Sequence, residues 1–355
     1  MATSMTDSRF IIPFAAASDT DHPRMGGKCA SLAKMIALGA PVPPGFAVAT
    51  DAYAAHLKAD GLAEAIEAEL ATLDTSDVTN QEAKSATIRR LVTGRAMPAE
   101  VEAAIRNAYA EMAPNDDTPV AVRSSATAED MPDASFAGQQ DTYLWVVGAD
   151  EVIARVRDCW ASLFTARAIS YRRDHQLGQI DVLMSVAVQR MVDAVSAGVA
   201  MTLDPINGDR TKIVVDASWG LGESVVSGEI TPDNFVVEKV LMQIQKRRIA
   251  DKAHEIVADK AARQTVHREV ESERRSAPSL TDEQVIAVAQ LARKLEKAMG
   301  TPQDVEWAVD REGGLMALQS RPETVWSQKK APPSSFATGI EGVIGTLLAP
   351  VQKKN

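Results

Sequence analysis

The apolar residues of this chain change their period near residue 180, and that change limits the folds open to it. Before it, Thr50 to Leu70, Pro98 to Met112 and Glu151 to Arg173 repeat apolar side chains three or four residues apart, as at Val152, Val156, Trp160 and Leu163. That is the spacing of helices with one buried face. After it, Leu183 to Met191, Ala197 to Leu203, Lys212 to Ala217 and Asn234 to Val240 are short runs rich in Val and Ile, bounded by Gly, Pro, Asn or Asp. Such runs predict strands. Thr281 to Met299 returns to helix, with Thr281 and Gln284 in capping-box spacing and Gly300 just past the end. The mixture predicts an α+β fold, and 355 residues are enough for two lobes.

Charge and composition narrow the function. A formal net charge of −10 argues against nucleic acid or an anionic membrane as the main partner. No run of ~18 apolar residues occurs, and the first residues lack a basic segment followed by an apolar one, so a cytoplasmic protein is expected. Cys29 and Cys159, the two cysteines, suit a reducing compartment and offer no metal-ligand spacing. From Lys329 the sequence KKAPPSSFATG reads as a linker leading into a weakly apolar tail.

Two segments suggest chemistry. In VAVRSSATAEDMPDASFAGQQ, residues 120 to 140, a short apolar strand delivers Arg123, whose guanidinium can fork onto phosphate oxygens. The small residues that follow have backbone amides able to close over a polyphosphate. A solvated loop in which Arg123 pairs with Glu129 or Asp130 is the alternative. Near residue 310, two alternating segments flank Arg311-Glu312-Gly313-Gly314, which predicts a hairpin with a four-residue loop. Pairing Asp310 with Leu315 places Glu306 opposite Gln319, and puts Glu306, Ala308, Ala317, Gln319 and Arg321 on one face. A carboxylate beside an amide carbonyl suits Mg²⁺ that also holds phosphates, with Arg321 near enough to neutralise the same group. A half-exposed hairpin with a chance Glu/Gln pair is the alternative here. The glycine pairs at Gly26-Gly27 and Gly220-Leu221-Gly222 match neither a Walker A loop nor a dinucleotide fingerprint, and each alone reads as a turn.

Taken together, Gly26-Gly27-Lys28, Arg123 to Gln139, Gly198-Val199 to Pro205, Gly220 to Asp233 and Pro302 to Pro322 resemble, block by block and in order, the nucleotide-binding domain of phosphoenolpyruvate synthase and pyruvate phosphate dikinase. The resemblance spans roughly residues 9 to 326 and implies an ATP-grasp-like fold in which two α+β lobes, 1–190 and 191–327, clamp ATP and Mg²⁺, with 328–355 as linker and tail. It implies that Lys28 and Arg123 contact the phosphates and that Gly138, Gln139 and Thr142 form the loop covering them. Glu306 and Gln319 would hold Mg²⁺, and Arg321 would stabilise charge on the transferred group. The segment Gln189, Met191 and Val192 resembles the family's adenine-reading hinge, with Asp193 as a ribose contact; Met191 as plain core is the alternative.

The resemblance also implies transfer of the β-phosphoryl of ATP, through a histidine, to a small acceptor with release of AMP and phosphate. Whole enzymes of the family carry that histidine in a Gly-Gly-x-Thr-Ser-His setting, and His22, His56, His175, His254 and His267 lie in no such context. All five read as surface residues. The expectation is therefore an ATP-binding subunit of a split phosphotransferase, similar to phenylphosphate synthase, with the histidine on a partner subunit and a phenol-like acceptor. One domain of a phosphoenolpyruvate synthase or a rifampin phosphotransferase-like enzyme, and a non-catalytic regulatory subunit, are the alternatives. The tail from Phe336 to Leu348 could dock on a partner or be disordered.

Overall fold

The computed structural model describes residues 9–127 and 142–326, and the backbone alone of 130–131 and 134–135. In chain order, β1 (Ile11–Pro13) leads to α1 (His22–Ala37), β2 (Gly45–Val48), α2 (Thr50–Lys58), α3 (Leu62–Leu70), α4 (Val78–Gly94) and α5 (Ala99–Met112). There follow β3 (Val120–Ala126), the paired β4 (Asp130–Met131) and β5 (Ala134–Ser135), β6 (Thr142–Val146), α6 (Ala149–Ser162), α7 (Ala166–Asp174) and β7 (Met184–Arg190). Next are β8 (Ala194–Met201), β9 (Lys212–Trp219), α8 (Glu223–Val226), β10 (Asp233–Glu238) and β11 (Gln243–Arg248). The described chain closes with β12 (His254–Asp259), β13 (Gln264–Glu269), α9 (Ser272–Arg275), α10 (Asp282–Met299), β14 (Gln303–Asp310) and β15 (Leu315–Pro322).

Two antiparallel sheets carry most of the strands, ordered β1-β2-β7-β3-β6 and β11-β10-β9-β8-β14-β15. The fold is α+β, and its two sheets are compatible with an ATP-grasp-like, two-lobed arrangement. Each strand expected after residue 180 forms, its ends displaced by three residues at most. The expected helix over 151–173 is two, because Thr165 Oγ accepts the Ala168 N–H at 3.2 Å and starts α7 afresh. In α10, Thr281 and Gln284 exchange the reciprocal bonds of a capping box, and Gly300 ends the helix at φ 78°.

Helices α2 to α7 cover one face of the first sheet, where Ile88, Ile105, Tyr109, Val156 and Trp160 pack with Val122, Val186 and Val188. A second core joins the sheets through α1. Its Met25, Cys29 and Leu32 share that core with Ala47 and Ala187 of the first sheet, Val215 and Phe235 of the second, and Val288 and Leu295 of α10.

The Gly26-Gly27 pair is no simple turn, for it lies inside α1, with Gly26 breaking the helix at φ 68°, ψ 171°. A Cβ on Gly26 would lie 2.1 Å from the Ser125 carbonyl oxygen, so the close approach of α1 to β3 requires glycine. His56 corrects another expectation. It has no solvent exposure, and its Nε2 lies 3.0 Å from the Val92 carbonyl oxygen.

The chain divides into two units at Pro322. In the second, the described residues are 323–326, where the Trp326 N–H donates to Glu323 Oε1 at 2.9 Å. No helix among the described residues is long and apolar enough to cross a membrane.

Candidate active site

The site is assembled by strands of both sheets. Strand β3 runs buried through Val120, Ala121 and Val122 and then presents Arg123, while the second sheet brings Glu306 on β14. Arg123 Nη2 donates to Glu306 Oε2 at 2.9 Å, across 183 residues of sequence. Among the described residues Glu306 is thus the acid that Arg123 meets. The two line a cavity of about 260 Å³ whose other walls are Thr142 and Leu144 of β6, the segment Gln189–Val192, Gly198 of β8, the turn Leu221–Glu223 and Leu318 of β15.

The hairpin of β14 and β15 delivers the expected pair by an unexpected route. At its tip Val309, not Asp310, pairs with Leu315, so the register there is displaced by one residue. A bulge at Leu318 absorbs the difference, and Glu306 comes to face Gln319 as expected. The bulge also corrects the face assignment. Ala317 pairs with Trp307 in the core beneath α10, whereas Ala308 and Leu318 belong to the cavity wall.

Polar atoms without partners mark where a ligand can bind. Arg123 Nε and Gln189 Nε2, both on the cavity wall, have no hydrogen-bond partner in the protein; neither has Oε1 of Gln319, which is 8% exposed and does not line the cavity but stands opposite Glu306 in the hairpin. Buried polar atoms seldom go unpaired, so such a group at a cavity is a reserve for something else. Gln319 Oε1 and the Glu306 carboxylate are the hard oxygens that Mg²⁺ prefers. No group of three or more His, Cys, Asp or Glu able to hold a metal occurs among the described residues. The pair therefore fits a cation that draws its other ligands from phosphates and water.

The remaining candidates are placed unequally. Thr142 lines the cavity and pairs with Arg123 in the sheet. Lys28 does not line it, but its Nζ donates to the Ser124 carbonyl at 3.1 Å, next to Arg123. Arg321 stands on an exposed strand end, 57% exposed, with Nε 3.5 Å from Asp304 Oδ2. Gly138 and Gln139 lie outside the described residues.

Gln189, Met191 and Val192 all reach the cavity. The Met191 N–H is donated to the Pro119 carbonyl and the Val192 carbonyl accepts from Ala194, both at 2.9 Å. The Gln189 amide, with Nε2 unpartnered, is one polar group that this segment offers with capacity to spare. Met191 packs in the small apolar cluster of the cavity wall, with Ile256 of β12. Asp193 is not among the lining residues and is bound from outside by Arg311 and Lys260, each at 3.0 Å. Burial pushes its carboxyl up, but the hydrogen bonds from Arg311 and Lys260 outweigh this and hold it below the usual carboxylate range.

None of the five histidines lines the cavity. Sequence reasoning missed Glu223, Val226 and Ser227 as lining residues; the Gly220-Leu221-Gly222-Glu223 cluster was the available signal, because Gly220 takes φ 73° to turn the chain into the wall. Gly198 was another. A Cβ there would lie 1.9 Å from the Asp216 carbonyl oxygen.

The cavity thus sets an arginine beside a carboxylate between the two sheets of an α+β chain. The family described as pyruvate phosphate dikinase, AMP/ATP-binding domain, matches residues 22–338, and the chain belongs to that family. It is 41% identical over 358 residues to a probable phosphoenolpyruvate synthase of Staphylothermus marinus, covering 93% of this chain and 43% of that protein. With the phosphoenolpyruvate synthase of Pyrococcus furiosus it shares 39% identity over 362 residues, covering 90% and 44%. The chain thus spans about two fifths of the length of these relatives. A solved D-cycloserine synthetase is similar at a TM-score of 0.31 and 12% identity, covering 85% of this chain and 64% of that one.

Proposed function

We propose that this chain is the ATP-binding part of a dikinase-type phosphotransferase, and that the cavity of Arg123 and Glu306 receives ATP with Mg²⁺. The observation that carries this reading is the meeting of Arg123 and Glu306 at one cavity between strands of two sheets, with Gln319, its Oε1 unpartnered, opposite Glu306 in the hairpin. Glu306 and Gln319 would hold Mg²⁺, which when bound supplies positive charge to the phosphate oxygens. Arg123, Lys28 and Arg321 would spread their charge over the β- and γ-phosphates, Thr142, Gly138 and Gln139 would cover them, and the Gln189 amide would read the base edge. Arg311 and Lys260 both hold Asp193 at Oδ2, so Oδ1 would be the atom that accepts from the ribose. The lobes 1–190 and 191–327 would clamp the nucleotide.

In the proposed reaction a histidine nitrogen attacks the β-phosphorus and the α–β bridging bond breaks, so that AMP leaves with the electron pair. The γ-phosphoryl of the pyrophosphohistidine then goes to water as phosphate, and the remaining phosphoryl goes to the oxygen of a small acceptor. The histidine would come from a separate subunit or another domain. Its absence from the cavity wall supports this, since His56 is buried elsewhere and the other four do not line the site. The chain's own contribution is positioning and electrostatics, the usual terms in phosphoryl transfer. A phenol-like acceptor on a split enzyme follows from the resemblance to phenylphosphate synthase. The relatives' name, phosphoenolpyruvate synthase, favours pyruvate as a second reading.

Calorimetry of the chain with ATP, with and without Mg²⁺, tests the binding. Magnesium-dependent binding that Arg123→Met weakens at least ~10-fold is expected, and absence of nucleotide binding overturns the proposal. With a histidine-bearing partner supplied, Arg321→Ala should lower AMP formation by ~10²-fold while nucleotide affinity stays within a few-fold.

A further inference from the structure

A positive charge lies in the helical core with no ion-pair partner among the described residues. Arg172 of α7 has no solvent exposure, and neither do Tyr53, His56, Trp160 and Phe164. Its guanidinium lies 5.4 Å from the centre of the Phe164 ring. Arg172 Nε donates to Gln179 Oε1 at 3.0 Å, and the Gln179 amide donates in turn to the Ile169 carbonyl at 3.2 Å. That anchor fixes the side chain and occupies one of its nitrogens. Neither Nη1 nor Nη2 has a hydrogen-bond partner in the protein.

The neighbours are of one chemical kind. Tyr53 and His56 both pack on Trp160, with ring centres 5.6 and 5.1 Å apart, and the Tyr53 hydroxyl and the Trp160 indole N–H are also buried without partners. Burial pulls the Arg172 guanidinium down to about 10, with Tyr53 felt as its electrostatic neighbour, so the group is still a cation at neutral pH. Among the described residues between 50 and 190, no carboxylate is buried. A buried, unpaired charge is costly enough that proteins almost never leave one. Water could satisfy the hydrogen bonds here, but only an anion satisfies the charge as well.

We propose that Arg172, Tyr53 and Trp160 form a binding site for a small monovalent anion of the halide class within the helical core, pinning α7 to α2 and α6. The donor set suits a halide: the guanidinium and indole N–H groups only donate, the phenol O–H can donate as well, and a spherical anion accepts from all three. Tyr53, Trp160 and Phe164 are themselves fully buried, so an occupant there would be closed off from solvent.

The test uses the full chain in halide-free gluconate buffer, titrated with chloride or bromide at constant ionic strength while thermal unfolding is followed. A saturable rise in Tm of about 3–5 °C at ~100-fold excess over Kd is expected. Arg172→Met should remove the response. Tyr53→Phe, which keeps the ring, should shift it to higher halide concentration. Crystals soaked in bromide should show an anomalous peak beside Arg172. Equal Tm in gluconate and halide, an unchanged response in Tyr53→Phe, or an ordered water without an anomalous peak at that position would each overturn the proposal.

Discussion

Lys252–Asp233 and Arg123–Glu306 are ion pairs of nearly equal length, 2.7 and 2.9 Å, set in opposite surroundings. Both side chains of the first are wholly buried. Asp233 Oδ1 accepts from the Ala250 N–H as well as from Lys252, Oδ2 accepts from the Ser279 N–H and hydroxyl, and Lys252 donates onward to the Ala250 carbonyl. Every oxygen there is used by the protein. The second pair is 14% and 23% exposed on a cavity wall, with Arg123 Nε and the neighbouring Gln319 Oε1 unpartnered. A saturated buried pair joins the loop after β11 to the segment before α10, and has nothing left to offer a ligand. An unsaturated pair on a cavity can exchange partners.

The sharpest break in this comparison is Asp233→Ala. It strands the Lys252 ammonium and removes the acceptors of Ser279 and Ala250, so unfolding in urea should show a loss of about 3–5 kcal/mol. A loss below about 1 kcal/mol would mean that the buried pair is no more structural than the pair on the cavity.

How far the sequence discloses these two pairs differs, for a physical reason. Glu306 opposite Gln319 is legible because strand alternation is local and the hairpin loop is short, although the bulge at Leu318 was needed to bring the right residues together from a tip register displaced by one. The Arg123–Glu306 pair spans 183 residues, and no local periodicity encodes which strands of the two sheets face each other. Strands β12 and β13 escaped notice because residues such as Gln264, Arg268 and Glu269 are exposed and polar, leaving no alternating apolar face to read. Helix α4 is similar, burying little beyond Ser85, Ile88 and Val92. His56 is invisible for another reason. Its burial comes from Trp160, more than a hundred residues away, which an Ala-rich helical stretch does not announce.

At the cavity the expected effects fall on binding more than on stability. Glu306→Gln keeps an acceptor for Arg123 but removes the charge that a divalent cation needs. Unfolding should therefore move by less than about 1 kcal/mol, while Mg²⁺-dependent nucleotide affinity in calorimetry falls at least ~10-fold. Unchanged affinity would remove the metal assignment. Destabilisation as large as that of Asp233→Ala would place Arg123–Glu306 with the structural pairs.

A third acid extends the comparison towards solvent and has the smallest expected effect. Asp193 links the turn between β12 and β13, through Lys260, to the turn between β14 and β15, through Arg311; these partners are 72% and 61% exposed. Burial raises its carboxyl, yet the hydrogen bonds from Arg311 and Lys260 leave it below its ordinary value of 3.8. The sign follows directly. The stabilisation is complete above that ordinary value and is lost as pH falls through the lower folded one. Exposed partners keep its size under about 1 kcal/mol. Amide exchange over residues 254–269 should therefore stay flat from pH 6 to about 4 after correction for intrinsic rates, and quicken below that. Asp193→Asn should quicken it at pH 6 and abolish the acid dependence. If the variant exchanges as the native chain does throughout, Lys260 and Arg311 are surface contacts without consequence, and the ranking of ion pairs by saturation and burial ends at the cavity wall.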